Sequence, residues 1–230
     1  FVTNTAGTSN FRAGVNAGSS IASGGNQNVL LGDSAGAAVN TGDGNVAIGF
    51  EAGNDITTGS YNTIMGWKAG DKISTGGSNT AIGDGAIGAD TLGQKSVAIG
   101  SNTLNAQNFT SSTDTYNTAM GWNAGGSVTT GIQNTLIGAR AGDALTDADF
   151  NVAVGFQALT SDTLGSNSTA IGREALNNQN FTTATNTFNT AVGFQAGRSV
   201  TTGDKNTLIG GQAGDGITTG SNNVLVGYGT

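Results

Sequence analysis

Few residues in this sequence could carry acid–base or metal chemistry. The chain of 230 residues has no histidine and no cysteine, and Glu51 and Glu174 are its two glutamates. Without histidine the commonest general base and metal ligand is missing, and without cysteine there are no disulfides or thiolate sites. The remaining option is a pair of carboxylates, as in glycoside hydrolases.

The densest group of carboxylates is formed by Asp143, Asp147 and Asp149. Asp143 has the same place in a repeating pattern as Asp71 and Asp215, which favours a turn residue whose side chain bonds its own turn. A catalytic pair should interrupt the repeat, and no carboxylate pair clearly does so. We therefore expect no enzymatic activity, no cofactor and no metal site.

Aromatic residues are the second set with recognition chemistry. One group follows a glycine of the repeat and predicts either a stripe that contacts sugars or a receptor, or packing at a corner or between protomers. Another group lies in two insertions, where a ring could contact a ligand or anchor its loop. Both interpretations stay open for both groups. The candidate surface or ligand contacts are Phe50, Trp67, Trp122, Phe156, Phe194, Phe109 and Phe181.

These residues belong to a short internal repeat, with a period of about 17 residues in most copies. We number its positions 1 to 17 from the first residue of each copy. Position 1 is Asn or Ser, position 3 is Ala, Leu or Ile, position 5 is Gly, and position 8 is nearly always Ala from residue 28 onward. Copies start at 10, 28, 45, 62, 79, 96, 117, 134, 151, 168, 189, 206 and 223.

The short period predicts an all-β protein, a parallel β-solenoid (β-roll) of about 13 coils. Positions 2 to 4 are short, apolar and rich in β-branched residues, so they predict a strand, and positions 12 to 14 predict a second one. We expect an irregular entry segment at 1–27 with a degenerate first coil, then repeats over 28–230. Loop insertions are expected near 105–116 and 177–188.

Position 1 predicts a structural ladder along the solenoid. Stacked Asn side chains can hydrogen-bond from coil to coil, as in cross-β assemblies. Ser96 and Ser168 replace Asn in two coils. The predicted ladder residues are Asn45, Asn62, Asn79, Asn117, Asn134, Asn151, Asn189 and Asn206.

The strand at positions 2 to 4 is apolar on both faces. Position 3 points one way and positions 2 and 4 point the other, and an example is Leu136-Ile137 after Thr135. One face can fill the interior, while the other needs a cover. Because no helix is predicted, the simplest cover is another copy of the chain, and we expect a homo-oligomer. Ile137→Asp would then place a charge in a dry layer.

Charge and composition exclude several classes of partner. The net charge of -7 disfavours nucleic acid, which needs a basic patch. No stretch approaches the ~20 apolar residues of a membrane helix, so membrane insertion is not expected. The sequence begins at Phe1 without a signal-peptide pattern, and we expect it to be a segment of a longer protein.

The motif Ser96-Val97-Ala98-Ile99-Gly100 resembles the head repeats of trimeric autotransporter adhesins of the YadA type. The longer form Asn-Thr-Ala-Val-Gly-Phe-Gln-Ala-Gly at 189–197, followed by Thr-Thr-Gly, resembles repeats of bacteriophage tail fibres. The period is longer than in the adhesin heads, and the two insertions are additional.

The resemblance implies a left-handed homotrimer outside the cell, on a virion appendage or a cell surface. The expected function is a structural fibre segment that spans distance and supports host or surface attachment. The alternative is an adhesin head that binds a host-surface glycan or protein receptor.

Overall fold

The computed structural model describes residues 6–230. The chain forms a parallel β-solenoid of about 13 turns, with successive turns about 17 residues apart. Its described part contains no helix. This confirms the all-β solenoid predicted from the repeat. The chain divides into two compact units, Phe1–Tyr116 and Asn117–Thr230.

In the first unit, positions 2 to 4 of each coil form a three-residue strand. Neighbouring strands are parallel and in register, so that Val46 lies opposite Thr63, and Thr63 opposite Thr80. The strands are β1 (Phe11–Ala13), β2 (Val29–Leu31), β3 (Val46–Ile48), β4 (Thr63–Met65), β5 (Thr80–Ile82) and β7 (Val97–Ile99). A separate pair, β6 (Gly93–Gln94) and β8 (Thr113–Asp114), joins the first insertion to the coil before it.

The second unit repeats this arrangement, again with parallel strands in register. Its strands are β9 (Thr118–Met120), β10 (Thr135–Ile137), β11 (Val152–Val154), β13 (Thr169–Ile171), β15 (Thr190–Val192), β16 (Thr207–Ile209) and β17 (Val224–Val226). The pair β12 (Gly165–Ser166) and β14 (Thr185–Asn186) holds the second insertion.

The core of each unit is a column of small and aliphatic side chains. From the second coil to the twelfth, position 3 is fully buried, as at Leu136 and Leu208, and Ala at position 8 is fully buried as well. Glycine at position 5 is required by close stacking: at Gly49, with φ near 131°, a Cβ would lie 2.4 Å from the carbonyl oxygen of Gly66.

The strand predicted at positions 12 to 14 is wrong. The side chain of Ile56 at position 12 is buried, but the residues after it form bends. The amides of Asn40, Thr41 and Gly42 all point at the carbonyl oxygen of Thr57, at 2.9, 3.3 and 3.3 Å. A strand ladder needs evenly spaced partners, and three amides converging on one acceptor form a turn instead.

The first coil pairs with the second but departs from the repeat. Strand β1 pairs with β2, and the side chain of Asn10 accepts a hydrogen bond from the backbone of Asn28 at 2.9 Å. Arg12, half-buried, stands where the second to twelfth coils bury Ala, Leu or Ile at position 3. The segment 1–27, predicted to be an irregular entry with a degenerate first coil, contains this coil from Asn10 onward. Its first five residues lie outside the described part of the chain.

Candidate functional site

The solenoid leaves one apolar sheet surface without a cover. Because position 3 points inward, positions 2 and 4 point outward, and Ile137 exposes 37% of its surface. No residue at position 2 or 4 is charged in any coil, although one residue in ten of the chain is. We call this surface the outward face. Its exposed position-4 side chains are Leu31, Met65, Met120, Ile137, Ile171, Ile209 and Val226.

Aromatic side chains at position 6 border the outward face where the strands end. Phe50 and Trp67 belong to adjacent coils and stack, with ring centroids 4.4 Å apart and planes inclined by 21°. Beside them, Lys68 pairs with Glu51 at 3.2 Å. In the second unit, Arg173 lies 5.7 Å from the ring centroid of Phe194. The exposed rings are those of Phe50, Trp67, Trp122, Phe156, Phe194 and Tyr228.

A second set of exposed rings lies at the last residue of a copy, immediately before the Asn or Ser of the next one. We call this residue position 17 in every copy, including the two longer copies that end at Tyr116 and Phe188. Tyr61 exposes 68% of its surface, and Tyr116, Phe150 and Phe188 are also exposed. All four have positive φ, between 52° and 61°. The sequence analysis missed Tyr61 and Phe150. Extending the alternation of positions 6, 4 and 2 one step upstream, to position 17, would have found them.

Of the two interpretations left open for Phe109 and Phe181, a ligand contact or a loop anchor, the structure favours the anchor. Their rings expose 6% and 8% of their surface, and each anchors its insertion instead. The backbone N–H of Phe181 donates to Asp162 at 2.9 Å, and that of Phe109 donates to Asp90 at 3.1 Å. An apolar ring in a polar loop gains most by leaving water, and these bonds fix the backbone that carries it.

A buried polar network lies under each insertion. Asp162 accepts hydrogen bonds from the amides of Gly165 and Phe181 and from the side chain of Gln179. The Gln179 amide also donates to Ser168 at 2.8 Å. Burial raises the pKa of the Asp162 carboxyl, and the bonds from Gln179 and the backbone only partly oppose that rise. In the first unit, Asp90, Gln107 and Ser96 repeat this pattern.

These polar networks fit in the interior because the buried aliphatic side chain of the coil is at position 9 instead of position 12. Position 12 is aliphatic in most coils, but it is Asp162 and Gln179 here. Position 9, usually Gly, becomes Leu159 and Leu176, both fully buried. The aliphatic side chain thus changes position within the coil and leaves room for polar groups that satisfy one another.

The Asn side chains at position 1 bond each coil to the next. The side-chain oxygen of Asn28 (Oδ1) accepts from both the backbone N–H and the side-chain amide of Asn45, at 2.9 and 3.1 Å. The Asn45 amide also donates to the carbonyl oxygen of Gly59, at 2.9 Å. The same Asn-to-glycine bond recurs at Asn62, Asn79, Asn117, Asn151, Asn189 and Asn206, and Asn134 donates instead to Ala148.

The carboxylates near Asp143 are engaged in local structure. Asp143 pairs with Arg140 at 2.8 Å and accepts from Thr160. Asp147 accepts from Thr130 at 2.6 Å, and Asp149 accepts from the N–H of Ile132 at 2.8 Å. Burial raises the pKa of Asp149, opposed by that backbone bond and reinforced by the nearby charge of Asp147. Each carboxylate serves a turn or a coil contact rather than facing a partner carboxylate across a cleft.

The side chains of residues 6–230 form no group of three or more potential metal ligands, and no helix in that range is long and apolar enough to cross a membrane. The surfaces that remain are the outward face and its two aromatic borders. Comparison of the chain with protein-family models, with curated proteins and with solved structures finds no match.

Proposed function

We propose that this chain is a structural segment of a trimeric extracellular fibre of the phage tail-fibre kind. Three copies would cover their outward faces against one another, and the fibre would span distance and support attachment to a host or a surface. A left-handed coil belongs to this proposal through the resemblance described above. The segment has no enzymatic role in it.

One observation carries the proposal: the outward face bears no charge, and from the second coil onward it has Leu, Ile, Met or Val at position 4 beside Val or Thr at position 2. Contiguous exposed apolar patches larger than a few hundred Å² mark sites of association in soluble proteins, and here a row of aliphatic side chains continues from coil to coil within each unit. Burial is favourable by roughly 25 cal/mol per Å² of apolar surface. The chain carries a net charge of -7, so contact between copies is easiest where no charge lies.

Solution mass measured by multi-angle light scattering tests the proposal. The chain has a mass of 22.6 kDa. A mass near three times that value, constant on dilution, supports the trimeric fibre. A monomeric mass contradicts it, because the outward face would then be tolerated in water and the main physical reason for a fibre would be lost.

The stacked pair Phe50 and Trp67 favours a second candidate, a receptor-binding adhesin head. Trp67 exposes 55% of its surface, and aromatic rings near polar groups are common in binding sites for sugars and proteins. A glycan array separates the two candidates. Saturable binding that is lost in Trp67→Ala and Trp122→Ala, with assembly retained, supports the adhesin. Absence of binding favours the structural segment.

A further inference from the structure

Aromatic residues occur at both borders of the outward face in the same coils. Wherever position 17 is aromatic, the next position 6, six residues later, is aromatic too. All eight rings are exposed. The four pairs are Tyr61 with Trp67, Tyr116 with Trp122, Phe150 with Phe156, and Phe188 with Phe194.

Internal copies are offset by four coils, as the matching insertions near 105–116 and 177–188 show. Position 17 gains or loses a ring in four comparisons between these copies, and position 6 changes with it in two of them. In the other two, from Gly44 to Tyr116 and from Phe150 to Asn222, position 6 stays aromatic. The pair Tyr61 and Trp67 corresponds, four coils later, to Gln133 and Ala139, in which both rings are lost. The pair Phe150 and Phe156 corresponds, four coils earlier, to Ser78 and Asp84, so that both rings are gained. Residues that change together are commonly in contact.

A single chain does not account for this coupling. Phe150 and Phe156 lie at opposite ends of a row whose centre is strand β11 (Val152–Val154). The three residues of β11 alone span roughly 10 Å, and the chain leaves the extended conformation at Phe150 and Gly155, which have φ near 61° and 136°. The span is thus shorter than the roughly 20 Å of six extended residues, but longer than the about 4.5–7 Å between ring centroids of interacting aromatic pairs. The two rings therefore border opposite edges of the outward face and have no reason to match within one copy.

A cyclic assembly accounts for it directly. Rotation about an axis parallel to the stacking direction leaves the height of every coil unchanged. Each copy then presents one edge of its outward face to the opposite edge of the next copy, a contact of two different surfaces that closes into a ring. The residue at position 17 of one copy therefore meets, across that contact, the position-6 residue that follows it by six residues in the sequence of the neighbouring copy.

We propose that the position-17 ring of each aromatic pair packs on its paired position-6 ring, six residues later in sequence, of a neighbouring copy of this chain. The proposal rests on the homotrimer proposed above and adds the contact that sets its register. A shift by one coil, about 4.8 Å, would place Phe150 against Ala139 or Arg173 and would lose the aromatic contact. The matched rings therefore select parallel copies at equal height.

Two exposed rings at position 6 lack an aromatic partner at position 17. Phe50 follows Gly44, and its ring stacks on Trp67 within its own chain. Tyr228 follows Asn222, and its ring lies over Gly211, where an added Cβ would come within 3.3 Å of it. Such neighbours do not separate these two rings from the paired ones. Trp67 is the other member of the stack, Lys95 lies 5.3 Å from the Tyr116 ring centroid, and Arg173 lies 5.7 Å from that of Phe194.

Cross-linking tests the contact, and the absence of cysteine from the chain makes it clean. The test variant is the double substitution Phe150→Cys and Phe156→Cys, and Phe188→Cys with Phe194→Cys is the second test variant. The matched control is Phe150→Cys with Phe194→Cys, whose positions differ by two coils. Each is treated with a bis-maleimide shorter than the roughly 10 Å that the strand between positions 17 and 6 spans within one chain. All substituted side chains are exposed, and light scattering records the mass of each variant before treatment.

We expect covalent trimers from both test variants and at least a tenfold lower yield from the control. A mixture of the single variants Phe150→Cys and Phe156→Cys should give covalent dimers. If the proteins are trimeric but the test variants link no better than the control, the ring contact is refuted and the trimer stands. If the proteins are monomeric, the proposed function and the ring contact fall together.

Discussion

Removing one member of the Asn ladder should weaken the solenoid far more than its size suggests. Asn134 is fully buried, and its side chain donates to the carbonyl oxygen of Ala148 at 2.8 Å. The side-chain oxygen of Asn134 accepts from the backbone N–H of Asn151 at 2.9 Å. In Asn134→Ala these two backbone groups lose the partner that the side chain provides.

The magnitude follows from the cost of unpaired groups. Each buried backbone group without a partner costs about 1–3 kcal/mol, so we expect Asn134→Ala to lower the free energy of unfolding by about 2–6 kcal/mol per protomer. Asn134→Ser should cost nearly as much. Ser is accommodated at position 168 because Gln179 and Thr187 bond to it, and the coil that starts at 134 has no such insertion.

Guanidinium unfolding at fixed protomer concentration measures the loss, and hydrogen exchange at the Asn151 amide locates it. The control is Gln133→Asn, an exposed neighbour with φ near 57°, where Asn tolerates the backbone well. A loss for Asn134→Ala no larger than that of the control, or below about 1 kcal/mol, would refute the view that the ladder bonds hold neighbouring coils together.

Three further changes test the outward face, the buried carboxyl and the loop anchor. Ile137→Asp should abolish assembly at neutral pH by light scattering, because a charge would enter the covered face, while Thr182→Asp in the exposed second insertion should leave assembly intact. Because the folded pKa of Asp162 is raised above 3.8, its contribution to stability is full below 3.8 and is lost as pH rises through the folded pKa; Asp162→Asn should remove that part of the pH slope in unfolding titrations. Phe181→Ala should lower the free energy of unfolding by about 3–5 kcal/mol and speed proteolysis within 177–188, whereas the exposed Thr182→Ala should change neither.

The repeat predicts the main strand well because the same constraint recurs in every coil. Glycine at position 5 and a buried residue at position 3 leave little other than a short strand at positions 2 to 4. The second strand fails for a local reason. Ile-Thr-Thr has the composition of a strand, but the shared acceptor carbonyl at Thr57 depends on how the next coil lies, which composition does not encode.

The sequence alone also could not predict whether Phe109 and Phe181 in the insertions are buried or exposed. A Phe in a loop of Thr, Ser and Asn fits a ligand contact and an anchor equally well. The choice is made by Asp90 and Asp162, which hold the backbone of Phe109 and Phe181 from a neighbouring coil. The sequence contained one usable signal: Asp replaces an aliphatic residue at position 12 in both coils that precede an insertion.

Burial of the exposed rings at position 17 would offset the strain of the backbone that carries them. Phe150 and Tyr61 have φ near 61°, a conformation that costs a bulky residue roughly 1–2 kcal/mol relative to the right-handed region. Other coils place Gly, Asn, Ser, Gln or Lys there, all with positive φ, so the conformation by itself calls for neither a ring nor a cover. Burial of an aromatic side chain of about 150–250 Å² at roughly 25 cal/mol per Å² contributes several kcal/mol, which exceeds the strain. An aromatic residue at position 17 therefore gains most in a chain whose outward face meets a partner, whereas a polar residue or glycine suits an edge that stays in water.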